Sequence, residues 1–432
     1  MNQVLSRIEG NMVSKLSSSE IIHFLIILLV ILIPARFLGE ICRRYKLPAI
    51  IGEIFAGIIV GPTLLGMFWP ALFNNIFISA PQAYAAFDGI ANIGIILLMF
   101  IAGFEVDLHQ IRRNGKQALA ISLTGIIFPF VIGFGTVWLL YETHFANAAN
   151  NQLVTSLFFG TALSITALSV IAKILLDLDI LKSRIGNIVL TAAMVDDFLG
   201  WILFSVIIQL MNTSKQDASF WSVILVIAFA GFMLTGGKWI IHRSLAIAAK
   251  SSKAGRVFTV AICLCFIGAV ITELLGVRGI FGAFLVGIAI GDSAYFTEKH
   301  KHVLHQFTIN VLAPLFFASV GLRLNFISNF NLEIVLIILV IACLAKLMGA
   351  GIGGVLSGMT KNESIAVAFG MNARGSQEIV LGLIALQAKI ISEPVFEGLV
   401  VMTIVTMIIS GPIMKYYFLK EQRYQFSLNT NK

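Results

Sequence analysis

The chain has 432 residues, of which 58% are hydrophobic and 12% charged, with a mean hydropathy of +0.94 and a net charge of +8. Its apolar runs, near 20 residues each, match a hydrocarbon core of about 30 Å as helices, which excludes a water-soluble globular fold. They do not alternate apolar and polar residues, which excludes a transmembrane barrel. The positive charge sits in short loops between the runs, so it reads as membrane orientation and not as nucleic-acid binding.

Thirteen spans are expected, in an all-α multi-pass protein: 20–39, 47–65, 84–104, 117–141, 151–175, 185–211, 219–241, 257–275, 278–291, 303–322, 332–356, 363–387 and 395–417. The first has few charges before it and leads into further spans, so it reads as a span and not as a cleaved leader. The weakest cut is at "LLGVRGIFG"; without it the count is twelve. Of the 30 Lys and Arg residues, Lys346 and Arg374 lie inside spans, 22 collect on one side and 6 on the other. The positive-inside rule then places the amino terminus outside and the carboxyl terminus in the cytoplasm, in keeping with an odd count. The cysteines, Cys42, Cys263, Cys265 and Cys343, have neither zinc nor disulfide spacing and read as small packing residues. His300, His302 and His305 are expected in a solvated loop.

Thirteen divides as six, one and six, with 219–241 as the linker, so the two sixes have opposite orientations. The fifth span of each half carries a polar, small-residue interruption. These are "GTALSITALSVIAK", with Ser164, Thr166 and Ser169, and "AFGMNARGSQEIVLG", with Gly370, Asn372, Gly375 and Ser376. Broken helices at corresponding positions of an inverted repeat point to a transport site near the midplane, where irregular backbone survives only against protein or a water-filled cavity.

A charge at the bilayer centre costs roughly 2.5–3.5 kcal/mol on insertion scales. Asp196 and Asp197 bear that cost in the sixth span, in "TAAMVDDFLGWILF", and Lys346 bears it in the eleventh. Neighbouring helical residues project about 100° apart, so the two aspartates face different surroundings. Lys346 is the lysine at matching depth. Asp196 is therefore expected to pair with Lys346, and Asp197 to face the ion pathway as a hard oxygen ligand for a hard cation. Proton and cation then compete for one carboxylate. A structural reading stands beside this one: Lys346 can hold helices together without meeting an ion. Arg374 and Glu378, four apart, can neutralise each other or the ends of the broken helix. Glu53 and Glu105 lie near span ends, where solvated or helix-end roles are expected at least as readily as transport.

The chain resembles the monovalent cation:proton antiporters, in the branch of bacterial sodium/proton and Kef-type antiporters. The matching pieces, in order, are "PAIIGEIFAGIIVGPTLLG", "GIILLMFIAGFEVDL", "ALSITALS", "VDDFLG", "RGIFGAFLVGIAIG" and "PLFFASVGLRLN". The resemblance implies thirteen helices in two inverted six-helix repeats, with two discontinuous helices that cross. It implies an extracytoplasmic segment (1–19), a dimer domain (20–104 and 257–322), a core ion-transport domain (117–211 and 332–417), a linker helix (219–241) and a cytoplasmic tail (418–432). Asp197 matches the family's ion- and proton-binding Asp, Asp196 the Asp that pairs with the core lysine, and Lys346 that lysine. Ser164, Thr166 and Asn372 fall on the crossover. Arg374, Glu378, Glu53 and Glu105 are candidate structural or gating charges. The paired Asp in place of the Kef-type pair favours sodium.

The expected function is an electrogenic Na+(Li+)/H+ antiporter in the plasma (inner) membrane, working by alternating access, as a homodimer and without enzymatic activity or cofactor. Its partners are Na+ or Li+, H+ and the lipid bilayer, with no nucleic acid. The alternative within the class is a K+/H+ antiporter; from another class it is a passive cation channel, against which stands the lack of a filter-like repeat.

Overall fold

The computed structural model describes residues 16–45, 47–105, 115–146, 151–168, 170–171, 175, 183–211, 228–250, 255–275, 279–291, 293–328 and 330–430, without the side chains of Glu105 and Asp197 among others. The described residues contain helices and no strand. The principal ones are α1 (Ser18–Arg44), α2 (Ala49–Val60), α3 (Pro81–Glu105), α4 (Gly115–Leu140), α5 (Gln152–Ala162), α6 (Arg184–Met211) and α7 (Lys238–Ala249). There follow α8 (Gly255–Leu274), α9 (Gly279–Gly291), α10 (Glu298–Gly321, with a π turn at Thr308–Leu312), α11 (Leu332–Leu356), α12 (Lys361–Met371), α13 (Ser376–Gln387) and α14 (Glu393–Thr430). Eight helices among the described residues are long and apolar enough to cross a membrane, and three shorter apolar ones accompany them. Of the linker expected at 219–241, residues 219–227 lie outside the described residues and 228–241 are helical, with a π turn at Met233–Gly237 leading into α7.

Local chemistry sets several of these boundaries. Ser17 and Glu20 form a capping box, the Ser17 N–H donating to Glu20 Oε2 at 2.7 Å, which starts α1 ahead of the expected residue 20. At "LLGVRGIFG" α8 and α9 are separate helices, and the Gly279 N–H that opens α9 donates to the Glu273 carboxylate at 2.6 Å. The histidines expected in a loop stand instead on the first turns of α10, where the Thr297 N–H donates to His300 Nδ1 at 3.2 Å; a capping contact starts the helix early.

The helices pack most closely within two groups: α1, α2, α3, α8, α9 and α10 in one, and α4, α5, α6, α11, α12, α13 and α14 in the other. Inside the first group, two crossings rest on glycine. A Cβ at Gly57 would collide with the Ala318 carbonyl and one at Gly321 with the Ile54 carbonyl, bringing α2 and α10 into backbone contact. The same pattern recurs between α9 and α3: a Cβ at Gly287 would strike the Phe100 carbonyl, and one at Gly103 the Phe284 carbonyl. Lipid supplies no hydrophobic drive between helices, so such small-residue contacts carry the packing through dispersion.

Two helices are interrupted. α5 ends at Ala162 and its extended continuation meets the gap between α12 and α13. There the Ala167 N–H donates to the Ala373 carbonyl at 3.0 Å, and the Thr166 hydroxyl lies 2.9 Å from the Met371 carbonyl. The two breaks thus satisfy part of each other's backbone within the protein, as irregular backbone at that depth requires.

Candidate ion site at the helix crossing

Four ionisable side chains converge on this crossing, from α6, α11, the α12–α13 break and the first turn of α13. Lys346 Nζ lies 2.7 Å from Asp196 Oδ2, and neither residue has exposed surface. The remaining Lys346 protons go to the Gly125 carbonyl at 2.9 Å, on α4, and to the Ser164 carbonyl just beyond α5. All three ammonium donors are used. Asp196 Oδ1 accepts from the Ser122 hydroxyl at 2.6 Å, and Oδ2 accepts from Thr166 at 2.8 Å besides Lys346. Both oxygens of Asp196 are therefore occupied by protein donors. A buried pair repays its desolvation only when its remaining donors and acceptors are met in this way.

Arg374 and Glu378 serve the helix ends. The Arg374 guanidinium donates to the Ala162 carbonyl at 3.0 Å and to the Leu163 carbonyl at 2.7 Å, where the negative end of the α5 dipole emerges. Glu378 Oε2 accepts the Gly375 N–H at 2.8 Å, at the positive end of α13. The two side chains are 3.6 Å apart, ion-paired though not hydrogen-bonded, and both are buried. One cation and one anion thus neutralise two opposed half-helix ends.

The predicted residues divide by placement. Asp196, Lys346, Thr166, Arg374 and Glu378 are brought together. Ser164 contributes its carbonyl; its hydroxyl donates to Gly160 at 2.6 Å and Ile126 at 3.0 Å. Asn372 is buried at the break, its Nδ2 3.6 Å from Cys343 Sγ and its Oδ1 without a hydrogen-bond partner. Glu53, expected in a solvated or helix-end role at least as readily as in transport, is 3% exposed, on α2 where it packs against α1 and α10. The side chains of Asp197 and Glu105 lie outside the described residues. Ser122 was not singled out from the sequence. A lone hydroxyl on a helix normally bonds the carbonyl four residues back, as Thr124 does to Ala120 at 2.8 Å, and nothing in "AISLTGIIF" marks Ser122 as the exception.

A second polar set lies between the groups near the other end of the bundle. The Asn325 N–H donates to Glu397 Oε1 at 2.8 Å, joining the turn after α10 to α14. Beside it Arg323 pairs with Asp88 at 2.8 Å and the Thr63 hydroxyl donates to the Leu324 carbonyl at 2.7 Å.

Comparison with known proteins gives a consistent result. Residues 24–420 match the family described as sodium/hydrogen exchanger, transmembrane. The chain is 32% identical to the Na(+)/H(+)-K(+) antiporter GerN of Bacillus cereus, over 90% of this chain and 94% of GerN. It is 31% identical to the Na(+)/H(+) antiporter NhaS4 of Synechocystis sp., over 90% and 95% respectively. The chain spans about half the length of the Arabidopsis thaliana relatives it matches: cation/H(+) antiporter 20 is 30% identical, with 89% of this chain covering 47% of that protein. The fold is similar to that of the sodium proton antiporter MjNhaP1 from Methanocaldococcus jannaschii, with a TM-score of 0.67 at 16% identity, covering 93% of this chain and 99% of the other.

Proposed function

Because the chain belongs to the sodium/hydrogen exchanger family, we propose that it is an electrogenic sodium/proton antiporter in which Na+ and H+ compete for Asp197. The observation that carries this reading is the buried Asp196–Lys346 pair, 2.7 Å apart, held at the hydrogen-bonded crossing of two interrupted helices. Asp196, Lys346, Arg374 and Glu378 sum to zero charge. With both Asp196 oxygens taken by protein donors, this reading assigns the cation to its sequence neighbour Asp197. Na+ leaves as protons bind Asp197 and the Asp196–Lys346 pair; their release on the opposite face resets the site. Two protons per sodium make the cycle electrogenic, and Li+ is a second substrate.

Alternating access is read from the two helix groups. The first corresponds to the dimer domain and the second to a core that moves against it. The matched glycine crossings support an inverted repeat of two six-helix halves within thirteen spans. Residues 54 and 57 of α2 play the part of 284 and 287 of α9, and residues 318 and 321 of α10 that of 100 and 103 of α3. The exposed apolar stripe on α1, with Leu29, Ile33 and Phe37, fits a homodimer contact or lipid. The Glu397–Asn325 contact favours a state closed on the outer face and open toward the cytoplasm, with the amino terminus outside.

The name of GerN, a Na(+)/H(+)-K(+) antiporter, favours a second reading with K+ as an alternative cargo. Everted membrane vesicles test both: the proton gradient is dissipated on adding Na+ or Li+ if the first reading holds, and on adding K+ if the second does. Cation flux without coupled proton movement would mean a channel.

A further inference from the structure

Glu53 is 3% exposed and lines a cavity of about 230 Å³. Among the described residues, no hydrogen bond or ion pair within 4.0 Å reaches its carboxylate. Its Cγ packs over Gly39 of α1, 3.5 Å from where a Cβ there would stand, which is ordinary van der Waals distance. The remaining wall is apolar apart from Arg43, and includes Leu98 of α3 and Phe317 of α10. The charged groups acting on Glu53 are Arg43 and Arg36, both of α1. Arg43 is itself engaged by Glu40 at 3.5 Å.

A buried carboxylate with no donor among the described residues needs a proton or a counter-ion. Here the partner has to come from the cavity, which has room for several waters. One wall of that cavity is Val170, from the segment that continues α5 past its break; the rest comes from α1, α2, α3 and α10. The cavity therefore lies on the seam between the two helix groups, at the end of the bundle that carries Arg43 and Arg44. We propose that Glu53 is a capture site for a partly hydrated monovalent cation, exchanging it with a proton, in the vestibule on that face. This deepens the antiporter reading and rests on it for the direction of transport.

The test has two arms. In oriented proteoliposomes, Glu53→Gln is expected to raise the KM for Na+ at least fivefold when Na+ is supplied on the face carrying Arg43, and to leave the KM from the other face unchanged. Tyr45→Cys, labelled with an impermeant maleimide, identifies that face. An equal change on both faces, or none on either, overturns the proposal. The second arm needs no transport. A hydrophobic carbodiimide should modify Glu53 in the purified protein, and Na+ should slow that modification, read by mass spectrometry of the peptide containing Glu53. Protection that is absent over the range of Na+ tested overturns the capture site even in a protein with full exchange. Protection in a protein that exchanges nothing supports the site while refuting the antiporter reading.

Discussion

The Thr166 hydroxyl stands 2.8 Å from Asp196 Oδ2 and 2.9 Å from the Met371 carbonyl, with a single proton to donate. Its choice of acceptor is tied to the state of the carboxyl. While Asp196 is ionised, the charge-assisted bond to it is the stronger. Once Asp196 carries a proton, that proton can be given to the Thr166 oxygen and the hydroxyl freed to hold Met371. A protonation event on α6 is thereby felt in the backbone at the end of α12. Thr166→Val removes the hydroxyl at nearly constant shape and is expected to slow exchange at least tenfold, while Thr166→Ser retains most of it. Initial rates of sodium-driven proton release, with melting curves to verify folding, check both.

Lys346 is best tested by a cycle. Lys346→Ala leaves a buried carboxylate without its counter-charge, a loss of roughly 3–5 kcal/mol for a pair of this kind. Asp196→Asn together with Lys346→Met removes both charges and is expected to recover much of that stability. Thermal melting in detergent of Asp196→Asn, Lys346→Met and the double variant closes the cycle and gives the coupling. The double variant is also expected to exchange sodium for protons without net charge movement.

Arg374 reaches two carbonyls at the end of α5 with one planar fork. Lysine, a point donor on a flexible stem, does not reproduce that geometry. Arg374→Lys is expected to lower the melting temperature by several degrees, and Arg374→Gln to lower it further, since Glu378 would then lose its partner.

The glycine crossings predict equivalent effects at distant positions. Gly57→Val and Gly287→Val each drive a side chain into a facing carbonyl, where overpacking costs about 1–3 kcal/mol or more. Both should reduce the yield of folded protein, and to a similar extent, when measured as monodisperse material by size exclusion. A large difference between them would argue against the equivalence of α2 with α9.

The sequence made the charges legible because each stands out against apolar neighbours at a known cost. Asp196, Lys346, Arg374 and Glu378 are conspicuous for that reason, and the small and hydroxyl residues at 164–169 and 370–376 mark the two breaks. The burial of Glu53 was hidden because position along a span does not tell which helices cover it. Ser122 was hidden because a helical hydroxyl ordinarily serves its own backbone. Nor could the crossings at Gly57 and Gly103 be picked from a chain with 37 glycines, since close approach is a property of helix pairs and not of one segment.

The role of Asp197 is tested most directly by the variant Asp197→Asn, reconstituted and assayed for exchange of external protons against internal sodium. Complete loss of exchange, in a protein that still melts as the unmodified one does, is the expected result. Sodium/proton exchange surviving in that variant would contradict the assignment of the ion to this carboxyl.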